Sequence, residues 1–507
     1  MIILLNPRSA KHNRRIPLSV LTIGVGLEGK HDYEIVDGNF DPEVEKTLEM
    51  MIRTRNARYL GMTVMPGPQL VAAVRISKHL KKLFPRLVVI WGGTFPSIHT
   101  DTVLQADYVD LVVLGQGEII LPEVLDALEH EAPLEGVKGI AFKRHGEVLR
   151  TPQREWTHPE TTPRLPYHKV DVLRYLQRTY LGNRTSAYHS SLGCPFKCGF
   201  CSVVTLFGGR WLAQSAERVA REVEYLHATY RIDSLEFYDD NFFTSERRVE
   251  EFAERIERLN IAWWGEGRSD TLHQYSDATL RKMRNAGCKM IFTGAETSSQ
   301  EKLDLMNKGG TQSAEVILEF ARRIREFDII PEFSFVFGTP SDDVGGDIER
   351  DIQFIKKIKA VNPKSEIIFY VYAPVLVPGA KLFAESQKYG FRYPQTLDEW
   401  TEPQWQHFDL RKRPMTPWMK PRHIDKIRSF ERVLNARYPS STDLRLTEPK
   451  RKFLYYLSHW RYATEFYHAP YEIRFFLSKV FKYRQPELEG AAQYPPLNLN
   501  TVSHARS

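Results

Sequence analysis

The chain has 507 residues, 42% of them hydrophobic and 12% aromatic, with a formal net charge of +7. This composition excludes a disordered chain and, at about 100–200 residues per domain, predicts about three domains. No run of about 20 apolar residues predicts a membrane span. The first residues, Met1-Ile2-Ile3-Leu4-Leu5, lack the basic start of a signal peptide, so we expect a cytoplasmic protein.

Residues 1–145 alternate short apolar strands with amphipathic helices, the pattern of a parallel, doubly wound, flavodoxin-like domain. Ligands of such sheets lie outside the carboxyl ends of the strands. Small residues at these ends allow a large ligand to approach the backbone, although they are equally compatible with tight turns. They include Gly92, Gly93, Gly115 and Gly117, and the third strand itself carries two further small residues, Gly61 and Thr63.

The remaining chain divides into four segments by composition and rhythm. Residues 146–183 are rich in proline and predict a linker. Residues 184–395 repeat a strand–helix unit six times, which predicts an open or partial (β/α)6 barrel with its active site at the strands' carboxyl ends. Residues 396–485 predict a mainly helical substrate or cap region, and 486–507 a flexible tail.

Three of the four cysteines lie within eight residues, directly after the first barrel strand. Cys194, Cys198 and Cys201 have the spacing C-x3-C-x2-C. Clustered thiolates are typical of iron–sulfur ligation, and three ligands on a four-iron cluster leave one iron open for chemistry. The alternative is a zinc site completed by a histidine such as His189. The fourth cysteine, Cys288, is expected to be a core thiol.

This loop resembles the cluster-binding loop of the radical S-adenosylmethionine (SAM) superfamily. Four further stretches at strand ends, around residues 237–242, 294–309, 337–340 and 374–380, are similar to the branch with an N-terminal cobalamin (B12)-binding domain. That branch includes cobalamin-dependent methylases and the anaerobic magnesium-protoporphyrin ester cyclase. The resemblance covers residues 1 to about 400. It implies a 4Fe–4S cluster, SAM and reductive cleavage of SAM to a 5'-deoxyadenosyl radical.

The resemblance also implies SAM contacts at the strand ends, although it assigns no catalytic residue. Asp239 or Asp240 matches the group that receives the SAM amino group, and Glu296 the residue that bonds the ribose hydroxyls. Arg268 would face the SAM carboxylate. Strand-end acids also cap helices, and the arginine has the alternative of pairing with a neighbouring carboxylate.

The adenine of SAM would lie between aromatic and backbone groups. Phe200, just before the last cysteine, would pack against the ring, and the backbone from Val336 to Gly338 would line it.

The six small residues of the N-terminal domain look like the cobalamin-lining loops of this branch. The D-x-H-x-x-G motif that supplies an axial imidazole elsewhere is absent, and Phe95 and Gln116 stand where relatives often have His and Glu. The domain therefore either binds cobalamin without a histidine ligand or is a sheet that no longer binds it.

Two reactions fit this branch, and an external donor of the flavodoxin or ferredoxin type would supply electrons to both. In the first, cobalamin carries a methyl group to an unactivated substrate carbon, which we favour by family. In the second, the enzyme cyclises or oxidises its substrate without methyl transfer. A non-catalytic, cluster-bearing binding or sensing protein is the third alternative.

Residues 450–484 hold eight Lys or Arg, two Glu and twelve aromatic residues. Such a basic, aromatic face can rest on the anionic inner surface of a membrane and deliver a lipid-like substrate. The alternative is a packed helical cap with a solvated basic face. The same composition also occurs in nucleic-acid sites, a partner that the modest net charge does not favour.

Overall fold

A computed structural model describes residues 1–9, 15–406, 416–440 and 442–483. The predicted flexible tail at 486–507 lies outside these ranges. Within them, no helix has both the length and the apolar character needed to cross a membrane.

The N-terminal domain is a seven-stranded sheet in the order β2-β1-β3-β4-β5-β6-β7. The first five strands are parallel in the flavodoxin-like order, as predicted. Its strands are β1 (Ile2–Asn6), β2 (Tyr33–Asp37), β3 (Tyr59–Thr63), β4 (Val88–Gly92), β5 (Leu111–Val113), β6 (Ile140–Arg144) and β7 (Glu147–Arg150). Its helices are α1 (Leu18–Leu27), α2 (Val44–Arg55), α3 (Pro68–Leu83), α4 (Thr94–Ile98), α5 (Thr100–Gln105) and α6 (Gly117–Glu129).

The last two strands of this sheet form an antiparallel hairpin that the sequence pattern did not reveal. The hairpin is short, and only β6 is mostly buried, so it lacks the long apolar run that marks a parallel strand. The sheet consequently continues to Arg150, beyond the predicted domain boundary at residue 145.

The central domain is a six-stranded parallel sheet in the order β15-β14-β13-β12-β11-β8, the partial barrel that was predicted. A two-stranded hairpin, β9 with β10, follows the first barrel strand. The strands are β8 (Thr185–Tyr188), β9 (Ser191–Gly193), β10 (Trp211–Ala213), β11 (Ser234–Phe237), β12 (Ala262–Gly267), β13 (Cys288–Glu296), β14 (Ile330–Phe337) and β15 (Glu366–Val371).

Helices cover the outside of this sheet with their apolar faces. In the second of them Val219, Val223 and Leu226 are buried at the expected helical spacing. The helices are α7 (Ser202–Phe207), α8 (Ala216–Tyr230), α9 (Glu246–Ile256), α10 (Ser269–His273), α11 (Asp277–Asn285), α12 (Gln300–Leu305), α13 (Ala314–Ile324) and α14 (Val344–Val361).

The C-terminal region is helical, as predicted, and packs against the barrel. Phe430 contacts Phe369 of β15, with their ring centroids 5.9 Å apart. The helices are α15 (Lys381–Lys388), α16 (Leu397–Trp400), α17 (Pro421–Arg437), α18 (Glu448–Ala463) and α19 (Tyr471–Phe475), which continues as a π-helical turn, Phe476–Val480.

Ser215 caps α8 and ties it to the linker. Its Oγ accepts a hydrogen bond from the Arg218 backbone N–H at 3.1 Å and donates to Glu160 at 2.8 Å.

We predict that Ser215→Ala lowers the thermal midpoint by about 2–4 °C, since a lost N-cap costs about 1 kcal/mol. Differential scanning calorimetry checks this. Ser478→Ala, which removes only a bond to Arg474 O within its own helix, should leave the midpoint unchanged, and an equal shift in both variants would contradict the capping role.

Candidate active site

The cysteine loop lies at the carboxyl end of the first barrel strand. Cys194 directly follows β9, and Cys201 occupies the N-cap position of α7. All three loop thiols are half-buried, whereas Cys288 is fully buried on β13 and is the core residue expected. The fold therefore holds three accessible thiols together at the mouth of the barrel.

A buried carboxylate anchors the start of this loop. Asp239, just after β11, is fully buried and accepts hydrogen bonds from the backbone N–H of Ser190 at 3.0 Å and from its Oγ at 2.7 Å. It also accepts from the hydroxyl of Ser191. These contacts occupy the carboxylate and fix the turn between β8 and β9, which sets the position of Cys194.

The next residue, Asp240, has a different environment. It is half-buried and lines the cavity between the two α/β domains. Burial raises the pKa of its carboxyl, nearby His189 opposes that shift, and the charge of Asp239 adds to it. Of the two consecutive aspartates, it is this one that meets the space in which a ligand would bind.

Polar side chains from other strands reach the thiols. The Arg268 guanidinium donates to Cys198 Sγ at 3.4 Å and lies over the Phe196 ring, 4.1 Å from its centroid. Arg268 is buried and also forms an ion pair with Asp270, which is buried as well. Pairing with a neighbouring carboxylate was the alternative considered from the sequence. The arginine thus brings positive charge to the cysteine loop, where thiolate ligands would carry negative charge.

Asn241 is a site residue that sequence reasoning did not single out. Its Nδ2 donates to Cys194 Sγ at 3.8 Å. Its Oδ1 is buried and has no hydrogen-bond partner among the residues that the structure describes. An unsatisfied buried acceptor costs about 1–3 kcal/mol, so this oxygen favours a ligand that brings an N–H or O–H group. Its place directly after the two aspartates was the available signal.

The three thiols fit a four-iron cluster better than they fit a single metal ion. Burial raises the pKa of Cys194, and it raises the pKa of Cys201 to about 12. In the described chain, no three His, Cys, Asp or Glu side chains are grouped as they would be around one metal ion. A four-iron cluster does not require three side chains around one ion, because each thiolate binds a different iron.

The fourth barrel strand ends in a strained residue. Glu296 has φ +65°, which is uncommon for a residue other than glycine, and it follows a register shift between β13 and β14. Its carboxylate is buried and pairs with Lys308 Nζ at 2.6 Å, while the same ammonium donates to Gly294 O at 3.0 Å. Lys308, the partner of Glu296, is a second site residue that sequence reasoning did not single out, although it lies within the stretch 294–309.

The three residues expected around adenine come from the cysteine loop and from the end of β14. Phe200 is half-buried, with Lys308 Nζ 6.0 Å from its ring centroid, and Val336 is half-buried on β14. Gly338 has φ +75°, and a Cβ there would lie 2.4 Å from Met419 Sδ. The C-terminal segment therefore covers this glycine, which the strand–helix pattern alone could not reveal.

One cavity of about 1010 Å³ lies between the N-terminal sheet and the barrel. All six small residues selected from the sequence line it. The barrel supplies the opposite wall, including His189, Leu192, Phe207 and Asp240. The ligand edges of two parallel sheets therefore enclose the same space.

The two departures from the family pattern have structural explanations. The amide of Gln116 bonds the linker backbone, with its Nε2 2.9 Å from Thr157 O and its Oε1 2.6 Å from Thr157 N. Phe95 is fully buried and packs edge-on against Trp400 at 5.2 Å. Glu118, which lines the cavity, has a pKa raised by burial.

A second cavity, of about 900 Å³, lies deeper in the barrel. Glu236, Trp264, Met290 and Glu332 line it from four neighbouring strands, each before the end of its strand. The C-terminal helices close its side through Leu454 and other residues.

Arg15 and Tyr238 line both cavities, which therefore adjoin at these residues. The guanidinium of Arg15 pairs with Glu236 at 2.9 Å and donates to the Tyr238 hydroxyl at 2.7 Å. An ion pair between domains therefore lies where the two spaces adjoin.

Comparison with known proteins identifies both α/β domains. Residues 188–355 match the model of the radical SAM superfamily, and residues 13–125 match that of the B12 binding domain. An uncharacterized methyltransferase of Pyrococcus horikoshii is 28% identical over 68% of this chain and 73% of its own. The anaerobic magnesium-protoporphyrin IX monomethyl ester cyclase of Synechocystis is 27% identical over 73% of this chain and 74% of its own.

Two further proteins are informative. The hopanoid C-3 methylase of Methylococcus capsulatus is 25% identical over 50% of this chain and 48% of its own. The structure of the radical SAM methyltransferase TsrM from Kitasatospora setae, with cobalamin and a 4Fe–4S cluster bound, superposes with a TM-score of 0.61 at 20% identity, covering 78% of this chain and 76% of the other.

The predicted cofactors, a 4Fe–4S cluster, SAM and cobalamin, follow from the two matched domains. The domain order and the facing ligand edges agree with that assignment. The chain belongs to the branch of the radical SAM superfamily that carries an N-terminal cobalamin-binding domain.

Proposed function

We propose that this enzyme transfers a methyl group, through cobalamin, to an unactivated carbon of a hydrophobic, lipid-like substrate. One observation carries the proposal: the cavity of about 1010 Å³ that is lined both by the cobalamin-type loops and by the barrel mouth next to the cysteine loop. A methyl carrier in the N-terminal domain and a radical generator in the barrel would share this space.

The barrel residues divide into cluster ligands and SAM contacts. Cys194, Cys198 and Cys201 would bind three irons, and the Arg268 guanidinium would offset their negative charge. Asp240 would accept hydrogen bonds from the SAM ammonium, because Asp239 is already occupied by the serines that anchor the loop. The unpartnered Oδ1 of Asn241 would accept a further N–H from the same ligand.

The nucleoside part of SAM would lie on the opposite side of the mouth. Glu296, whose carboxylate is held by Lys308, would accept hydrogen bonds from the ribose hydroxyls. Phe200 and the backbone at Val336 would contact the adenine, whereas Met419 and Trp418 already cover Gly338. The strained φ of Glu296 is maintained by buried contacts, as expected where a side chain is oriented for a ligand.

In the N-terminal domain, Gly61, Thr63, Gly92, Gly93, Gly115 and Gly117 would contact cobalamin at the cavity wall that they help to form. The bound cluster and SAM supply a carbon-centred radical, and cobalamin supplies the methyl group. The chain itself binds these groups, orients them and excludes water. An electron donor of the flavodoxin or ferredoxin type would deliver electrons from outside.

The second cavity is the proposed substrate chamber. Aliphatic and aromatic side chains line one part of it, including Leu454, Leu477 and Trp264. Glu236 and Glu332 give the other part hydrogen-bond acceptors, and burial raises the pKa of Glu236. An amphipathic lipid with a hydroxyl or amine group matches this division, and the similarity to a hopanoid methylase supports the lipid class.

Cyclisation or oxidation without methyl transfer is the second candidate. The similarity to the magnesium-protoporphyrin ester cyclase favours it, because that relative covers more of this chain than the hopanoid methylase does. Both reactions would use the same cluster and SAM residues, so their products distinguish them.

The reaction is tested with anaerobically reconstituted enzyme, a strong reductant and SAM carrying a deuterated methyl group. We expect 5'-deoxyadenosine and S-adenosylhomocysteine, the latter only with cobalamin, and deuterium in a component of an added total lipid extract. Mass spectrometry measures all three. Deoxyadenosine without S-adenosylhomocysteine would contradict methyl transfer and favour cyclisation or oxidation. Neither product, from protein that holds its cluster, would favour the non-catalytic alternative.

The cluster ligands are tested by changing each cysteine to alanine. Cys194→Ala, Cys198→Ala and Cys201→Ala should each lose most of the bound iron and sulfide, because a cluster held by three thiolates has no spare protein ligand. Cys288→Ala is the matched control and should keep both. Elemental analysis and visible absorption after anaerobic reconstitution check this. Full iron and sulfide in any of the first three variants would contradict the assignment.

The cobalamin site is tested by filling it from the end of β4. A Cβ at Gly92 would meet only Val113, at 4.0 Å, so Gly92→Leu fits the backbone while its side chain takes ligand space. We expect about tenfold weaker cobalamin binding or worse, a loss of at least about 1.4 kcal/mol. Equilibrium dialysis measures it. Gly136→Leu, at a site with nothing within 4 Å of the added carbon, should bind as the parent protein does. Unchanged binding by Gly92→Leu would place the cofactor elsewhere.

A further inference from the structure

The outer face of the C-terminal helices carries a large share of the exposed apolar side chains. Of the thirteen large hydrophobic residues that are strongly exposed in the described chain, nine lie between residues 444 and 480. Single exposed apolar residues are ordinary, but a concentration of this kind marks an interaction surface. They are Leu444, Phe453, Tyr455, Tyr456, Trp460, Phe466, Tyr471, Phe475 and Val480.

Ring contacts join some of these side chains across α18 and α19. Phe453 of α18 lies 4.7 Å from Phe476 and 5.6 Å from Phe481, centroid to centroid. Tyr456 and Trp460 follow Phe453 at a spacing of three and seven residues, which places all three along one side of α18. We call the nine exposed residues, with Phe476 and Phe481, the aromatic face.

Positive charges are interleaved with this face and have no counter-charge. Lys452 precedes Phe453, Arg474 precedes Phe475, and Lys479 precedes Val480. These three and Lys482 are exposed, and the structure shows no ion pair for any of them within the residues it describes.

The neighbouring acids are mostly neutralised by other cations. Glu465 pairs with Lys356, and Glu472 with Arg461 at 2.9 Å. Asp443 pairs with Arg445 at 3.2 Å. The unpaired charge at the aromatic face is therefore predominantly positive.

The same helices form a wall of the proposed substrate chamber. Leu454 is buried and lines the chamber, while the adjacent Phe453 and Tyr455 are exposed. Leu477 also lines it, one residue from Phe476, and Leu444 both lines it and is 48% exposed. The aromatic face and the chamber are therefore formed by the same C-terminal segment, and Leu444 belongs to both.

We propose that the aromatic face docks on an anionic phospholipid surface and that the substrate enters the chamber from that surface. Tyr and Trp favour the boundary between head groups and acyl chains, and interleaved lysines are attracted to anionic head groups. Aliphatic side chains such as Val480 gain from burial in lipid, whereas they add little to nucleic-acid binding, which relies on base stacking and phosphate contacts. The docking itself does not depend on methyl transfer; only the entry route rests on the proposed function.

The test is co-sedimentation of the reconstituted enzyme with vesicles of phosphatidylcholine, with and without phosphatidylglycerol. Binding should require phosphatidylglycerol and weaken as salt increases. Lys479→Ala and Lys482→Ala should each weaken it by about fivefold. Tyr456→Ser with Trp460→Ser should weaken it further at every salt concentration. Lys138→Ala and Met50→Ser, at an exposed lysine and an exposed methionine of the N-terminal domain, are matched controls that should bind as the parent protein does.

Several results would overturn the proposal. One is equal binding to both vesicle types, and another is retained binding by the lysine and aromatic variants. A third is that excess RNA displaces the protein from vesicles and that the protein binds RNA as tightly as it binds vesicles. A change from dimer to monomer in the aromatic variant, seen by sedimentation velocity, would instead assign the face to a second copy of the chain. SAM cleavage without vesicles, measured on the same variants, should be unchanged. Failure of docking with intact cleavage therefore rejects the surface and leaves the proposed function standing.

Discussion

Parallel sheets place their ligand sites at the carboxyl ends of their strands, and this constraint governs the arrangement of the whole chain. The N-terminal sheet and the barrel are both parallel at their centres, so each has a single edge at which strand-end loops collect. The structure turns these two edges toward one cavity. The strand-end loops of both domains therefore border the same space.

The loop that carries Cys194, Cys198 and Cys201 depends on one buried carboxylate. Asp239 accepts three hydrogen bonds from Ser190 and Ser191, and Arg248 adds a bond to the Ser190 hydroxyl at 2.6 Å. Hydrogen bonds to an ionised group are stronger than neutral ones, and a buried carboxylate left without them would cost several kcal/mol. The position of Cys194 is therefore fixed by the core of the barrel, while the thiols stay accessible.

The sequence pattern predicted the parallel, doubly wound N-terminal domain, the six barrel strands and the cysteine loop because apolar periodicity and local spacing carry that information. It could not choose between Asp239 and Asp240, since burial depends on residues distant along the chain. The contact of Met419 with Gly338 escaped it for the same reason, as did the bond of Gln116 to Thr157. Asn241 and Lys308 lie within the stretches 237–242 and 294–309, but their contacts with Cys194 and Glu296 are visible only in the structure.

The central claim is that cobalamin binds in a space shared by both domains. Hydrogen–deuterium exchange with and without aquocobalamin tests it directly. The account predicts protection in the N-terminal segments 61–63, 92–97 and 115–118 together with the barrel segments 189–192 and 205–207. Protection confined to the N-terminal domain, or no protection in any of these segments, would contradict it.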